Sequence, residues 1–213
     1  MARSEPFEKF TRQYEAWFQK HRFAYESELN AIRKLLPKFH RSVEIGVGSG
    51  RFAAPLGIER GLEPSVKMGN IAKKRGILVD KGVCENLPYE NNQFDFALMV
   101  TTICFLDDVK RSFQEIFRIL EPGGWFIIGF IDKNSPVGRL YRQYQNENVF
   151  YQVADFYSVE EIIQFLNQTG FVDFQFTQTI FHPLEESKRI EPAHTGYGSG
   201  SFVVVRAQKI KDF

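Results

Sequence analysis

Residues 43–50 read Val-Glu-Ile-Gly-Val-Gly-Ser-Gly, an apolar run that passes into glycine at every second position. No other segment constrains the fold as much. Glycine lets a backbone turn sharply at the end of a strand and approach a ligand with no Cβ in the way. A helix starting near Gly50 would aim unpaired N–H groups and a partial positive charge at whatever sits above the loop. A strand, a tight loop and a helix are therefore expected here. The segments that follow alternate between strand and helix signals, as a parallel, doubly wound sheet requires.

The expected strands cover 42–45, 58–62, 77–79, 94–100 and 125–131, then about 172–181 and 201–207. Helices are expected over 50–56, 65–75, 109–120 and 158–169. Ser158 is the N-cap of the last, Glu161 three residues on completes a capping box, and Gly170 closes it. Glu121-Pro122-Gly123-Gly124 is expected to end the third of these helices and turn into the fifth strand. Residues 5–36 read as one or two helices, because Phe7, Phe10, Tyr14, Trp17 and Phe18 recur at spacings of three and four. Residues 132–155 form a polar, tyrosine-rich interruption.

The charge balance narrows the partners. With 27 basic and 26 acidic residues and no block of like charge, the chain lacks the basic footprint of a nucleic-acid binder, which points to a small-molecule substrate. Cys84 and Cys104 are the only cysteines, too few for a disulfide framework or a metal-ligand pattern. The longest apolar run, 125–131, is too short to cross a bilayer. The charged N-terminus has no apolar signal core, so a cytoplasmic protein with no membrane attachment is expected. The 22 phenylalanines suit either a tightly packed core or an aromatic pocket.

A dinucleotide fingerprint would need a third glycine where Arg51 stands. The pattern present instead is E-x-G-x-G-x-G over 44–50. Glu63 follows nineteen residues after Glu44, in Gly61-Leu62-Glu63-Pro64-Ser65. Next come Gly82-Val83-Cys84-Glu85-Asn86-Leu87-Pro88-Tyr89 and a run from Phe94-Asp95 to Arg118-Ile119-Leu120-Glu121-Pro122-Gly123-Gly124. In this order, over about 40–207, the segments resemble the class I S-adenosylmethionine-dependent methyltransferases of the small-molecule type.

The resemblance implies an α/β, doubly wound three-layer sandwich. Its sheet would have seven mostly parallel strands in the order 3-2-1-4-5-7-6, with strand seven antiparallel. One domain would span 1–213, with a helical cap over 1–38, a cofactor-binding core over 39–131, and an acceptor-site insertion and terminal strands over 132–213. The cofactor implied is S-adenosylmethionine and the activity methyl transfer to a small amine, oxygen or carbon nucleophile. A binding protein that has lost transfer and a nicotinamide-dependent oxidoreductase remain as alternatives.

Under this reading Gly46, Gly48 and Gly50 shape the cofactor loop, and Glu44 orients the methionine amine through its neighbourhood. Glu63 accepts hydrogen bonds from the ribose hydroxyls, with Pro64 beside it. Glu63 also reads as a charge favoured by a helix N-terminus. Val83 stands where related enzymes carry an acidic residue beside the adenine, which leaves Cys84 and Glu85 for that role. Met99 and Thr101 at the end of strand four face the methionine half, with Thr102 an alternative hydroxyl. Related enzymes often carry a histidine pair where Cys104 and Phe105 stand here. Tyr14, Trp17 and Phe18 suit either a lid or an amphipathic helix packed on the sheet. No base stands out, and His194 and Tyr14 are the candidates. Tyr141, Tyr144 and Tyr151 belong to the segment in which acceptor specificity is expected.

Overall fold

The computed structural model describes residues 3–210. The aromatic N-terminal stretch forms three helices, α1 (Glu5–Lys9), α2 (Thr11–Lys20) and α3 (Arg22–Leu35), rather than one or two. Phe10 and His21 break the run, with ψ of 32° and 42° that no helix continues. An i, i+3, i+4 apolar pattern carries through such kinks, so the sequence hides them.

Five strands run parallel: β1 (Ser42–Ile45), β2 (Arg60–Leu62), β3 (Leu78–Asp80), β4 (Phe94–Val100) and β5 (Leu120–Ile131). Between them lie α4 (Ala53–Leu56), α5 (Val66–Lys74) and α6 (Val109–Ile119). After β5 come α7 (Pro136–Gln143), α8 (Val159–Thr169), β6 (Phe171–Thr179), β7 (His194–Thr195) and β8 (Phe202–Lys209). The sheet order is β3-β2-β1-β4-β5-β8-β6-β7, with β8 antiparallel to both β5 and β6. This is the expected order with one addition. β7 pairs its two residues with Gln178 and Thr177 at the outer edge, making eight strands instead of seven. Two residues carry no periodicity to read.

Helices cover both faces. On one face α6 and α8 pack Phe113, Ile116, Ile162 and Leu166 against Phe126, Val203 and Val205. On the other, α3 supplies Ile32 and Leu35 to a cluster with Phe52, Phe96, Leu98 and Phe202. β4 is buried on both sides and alternates between the clusters, Ala97 and Met99 to the first, Phe96 and Leu98 to the second. Local signals set the helix ends. Ser65 caps α5 by accepting from the Met68 N–H, Ser158 and Glu161 form the capping box of α8, and Gly170 ends it at φ 101°.

Two expectations change. The helix after the glycine loop is a single turn, Ala53–Leu56, stopped by Gly57 at φ 74°. So short a helix contributes little dipole, and the loop's own N–H groups have to hold a ligand. Residues 121–124 are not a separate turn. β5 begins at Leu120 opposite Phe94, and the register shifts before Phe96 pairs with Trp125, so Glu121–Gly124 bulge within the strand.

One polar knot fixes the loop between β3 and β4. Glu115, buried on α6, accepts from the Leu87 N–H at 2.9 Å and from Arg118 Nε and Nη2 at 2.9 and 2.8 Å. Arg118 in turn donates to the carbonyls of Tyr89 and Leu87. Among the described residues no helix is long and apolar enough to cross a membrane.

Candidate active site

A cavity of about 430 Å³ lies over the carboxyl ends of β1, β2 and β4. Its floor is the glycine loop. Gly46 has φ 71°, and a Cβ there would lie 2.4 Å from the Thr102 side chain, so only glycine fits. The Gly48 N–H donates to Glu63 Oε2 and the Ser65 N–H to Oε1, both at 2.8 Å. Each Glu63 oxygen keeps a further acceptor position. Burial pushes the Glu63 carboxyl up to about 7, against the pull of those two N–H groups.

Of the residues singled out in the sequence, Tyr14, Gly46, Gly48, Glu63, Pro64, Cys84, Glu85 and Thr101 line this cavity. Glu44, Gly50, Met99 and His194 do not. Met99 is fully buried toward α6, on the opposite side of β4 from the cluster that includes Val100. A Cβ on Gly50 would meet Ala72 of α5 at 3.3 Å, so this glycine spaces the loop from the helix. Glu44 lies beneath the loop with one carboxylate oxygen unpaired, and burial holds its carboxyl well above the usual range. His194 is exposed on β7 with its ring against Phe181. The histidine that reaches the cavity is His21, whose pKa burial lowers.

Several wall residues are already occupied. Glu85 Oε1 accepts from the Asp107 N–H at 2.9 Å and the Asp108 N–H at 3.3 Å, which ties its loop to the start of α6. Cys84 directs its thiol away, to the Ser112 carbonyl. Cys104 lines the cavity at the position where related enzymes often carry a histidine, and burial pushes its thiol up to about 12. Thr101 sits at φ 49°, a left-handed conformation unusual for a β-branched residue.

The roof is aromatic and belongs to the N-terminal helices and the 141–157 segment. The Tyr14 hydroxyl lies 3.4 Å from where a Cβ on Gly48 would be, and burial raises its pKa. Phe7 packs against Tyr14, Phe105 and Phe150, and Tyr141 against Tyr151 with centroids 4.5 Å apart. Ionic ties hold this roof down. Glu15 of α2 pairs with Arg51 at 2.7 Å and Arg75 at 2.6 Å, on either side of the glycine loop. Glu8 of α1 accepts from the Ser65 hydroxyl at 2.6 Å and the Lys67 N–H at 3.1 Å. α1 and α2 thus act as a cover over the loop, while α3 packs on the sheet.

The methyltransferase-domain family profile matches residues 43–128, the span from β1 into β5. A solved structure from Thermotoga maritima, described as an S-adenosylmethionine-dependent methyltransferase and possible histamine N-methyltransferase, superposes with a TM-score of 0.95. It is 51% identical over 97% of this chain and 99% of that one. The chain belongs to the class I S-adenosylmethionine-dependent methyltransferases. An uncharacterised protein of Methanocaldococcus jannaschii is 40% identical to this methyltransferase over 96% of the chain and 98% of its own length. The Haemonchus contortus phosphoethanolamine N-methyltransferase 2, solved with S-adenosyl-L-methionine, shares the fold at a TM-score of 0.64. It is 18% identical over 87% of this chain and 53% of that one. Family membership makes S-adenosylmethionine the cofactor and removes the nicotinamide-dependent alternative. The floor fits that cofactor, because Gly46 and Gly48 present backbone alone to the cavity and Glu63 keeps open acceptor positions beside them.

Proposed function

We propose that this methyltransferase acts on a small molecule held between the glycine-loop floor and the aromatic roof. The observation that carries the reading is that one covered cavity joins Glu63 and Gly48 on the floor to Tyr14, Tyr141 and Tyr151 above. A cover tied down by Glu8 and Glu15 favours a small acceptor over a polymer.

In this reading Gly46 and Gly48 cradle the cofactor and Glu63 holds its ribose. Pro64, the Cys84 backbone and the Glu85 loop wall the adenine side. Thr101 and Thr102 border the methionine half, and Tyr14 covers the loop. Glu44, Gly50 and Met99 act from beneath, as support for the floor. When bound, S-adenosylmethionine supplies a methyl group already activated by its sulfonium. The chain's own task is to hold the acceptor in line and exclude water, which is catalysis by proximity. A base is needed only where the acceptor arrives protonated. The descriptions of the Thermotoga and Haemonchus proteins both name nitrogen acceptors, which supports an amine here.

Calorimetric titration with S-adenosylhomocysteine tests the reading. Micromolar binding is expected, with none for NAD. Glu63→Ala should weaken it about ten- to a hundredfold, the cost of lost charge-assisted hydrogen bonds. Unchanged affinity in that variant would remove the ribose assignment, and no binding by the wild type would remove the proposal.

A further inference from the structure

We propose that Glu28 anchors a positively charged nitrogen of the methyl acceptor, so that this site binds small organic amines in their ammonium form, the nitrogen passing its proton to the Glu28 carboxylate before its lone pair can take the methyl group. The inference rests on the reading of the cavity given above and names its substrate class. Glu28 projects from α3, is 4% exposed and lines the cavity. Among the described residues it accepts no hydrogen bond and pairs with no cation. The other buried carboxylates at hand each have a partner: Glu63 two N–H groups, Glu115 Arg118 and the Leu87 N–H, Glu191 the Phe181 N–H, and Asp132 the Asn134 N–H. Glu44 lies outside the cavity wall and is met by the Ala53 backbone.

An unpaired buried carboxylate is costly, and a ligand cation in the cavity would supply the missing partner. The surroundings suit such a ligand. The charge of Glu28 is felt at Tyr14, Tyr141 and Tyr151, all of which line the same cavity. Trp17 joins them, and aromatic faces attract cations. Glu185 adds a second carboxylate at the exposed mouth. Two cations also border the cavity but neither pairs with Glu28: Arg3 is held by Asp155 at 2.6 Å, and Lys20 is exposed at the end of α2. Such a site disfavours purely anionic acceptors, which cannot supply the cation that would draw the proton off Glu28.

Burial holds Glu28 at about 8, so most of it is protonated at pH 7 in the free protein. Pairing with a cation draws the proton off. The other titratable groups facing this region are His21, Lys20, Tyr14, Tyr141, Tyr151 and Glu185.

The test uses the full chain saturated with S-adenosylhomocysteine, titrated with arylalkyl amines such as 2-phenylethylamine and with their uncharged counterparts such as 2-phenylethanol. The wild type is expected to favour amines at least tenfold. At pH 7 each amine bound should release close to one proton, read from the binding heat in Tris against phosphate buffer. Glu28→Gln should lose both the preference and the release while binding S-adenosylhomocysteine as before, and Glu28→Asp should keep most of the preference. If Glu28→Gln fails to fold, the amine-against-alcohol comparison in the wild type decides. Equal binding of amines and alcohols, or a preference that survives in the glutamine variant, overturns the assignment of Glu28 alone. Failure of the wild type to bind S-adenosylhomocysteine overturns the whole reading of the cavity.

Discussion

At the scale of single residues, the carboxyl of Glu28 makes the stability of the free protein depend on pH in a definite direction. Its pKa rises from 4.5 to about 8 on folding. Between those values the folded chain keeps a proton that the unfolded chain has given up, so stability falls as pH rises through the window. Glu28→Gln removes this term. In urea melts without ligand the variant should be more stable than the wild type by up to about 5 kcal/mol at pH 9, and nearly equal at pH 4.5. The opposite trend would mean that the carboxylate has a partner in solution. Thr101 offers a second reading at this scale. Its left-handed backbone carries roughly 1–2 kcal/mol of strain, so Thr101→Gly should gain up to about 1 kcal/mol of stability after the added freedom of the unfolded chain. A loss instead would show that the hydroxyl's contacts outweigh the strain. Glu63 could be found in the sequence because it sits at a fixed place in a motif. Glu28 could not, because helix α3 offers only a periodic apolar pattern, and a polar residue on a buried face has no spacing that marks it; His21 could not, because it falls at the hidden kink between α2 and α3.

At the scale of elements, the parts that carry motifs were legible and the joints between them were not. β1, β4 and the capped ends of α8 fall where the sequence puts them, since glycine loop, alternating burial and capping box are all local signals. The bulge at Glu121–Gly124 depends on pairing between β4 and β5, and the kinks at Phe10 and His21 depend on what α1, α2 and α3 cover. Neither is local. The role of Arg118 was hidden in the same way: the sequence shows it as part of a motif, and the structure shows it clamping the 87–91 loop through Glu115. Arg118→Ala leaves that buried carboxylate with only the Leu87 N–H and the more distant Arg111, so a loss of about 2 kcal/mol is expected in denaturant titrations. A loss below about 1 kcal/mol would mean that water replaces the clamp. On the other side of the loop, Glu15→Ala should cut S-adenosylhomocysteine affinity about fivefold and speed amide exchange in α1 and α2. Unchanged exchange would show that the aromatic packing alone secures the cover.

For the whole molecule, ligand binding to the folded state should raise its melting temperature. S-adenosylhomocysteine at about a hundred times its Kd contributes roughly 2.7 kcal/mol. For a chain of 213 residues this corresponds to about 5–10 °C. A shift of that size with S-adenosylhomocysteine, and none with NAD, is the expected outcome in a thermal melt. The tie from Glu15 to Arg51 and Arg75 also has a consequence in time. The loop that cradles the cofactor is the loop to which the cover is fastened, so the cofactor has to arrive before the cover settles and depart after it lifts. Steady-state kinetics should therefore follow a compulsory order, nucleoside first in and last out. A dead-end acceptor analogue should inhibit uncompetitively against S-adenosylmethionine, and a noncompetitive pattern would mean that the two ligands enter by separate doors.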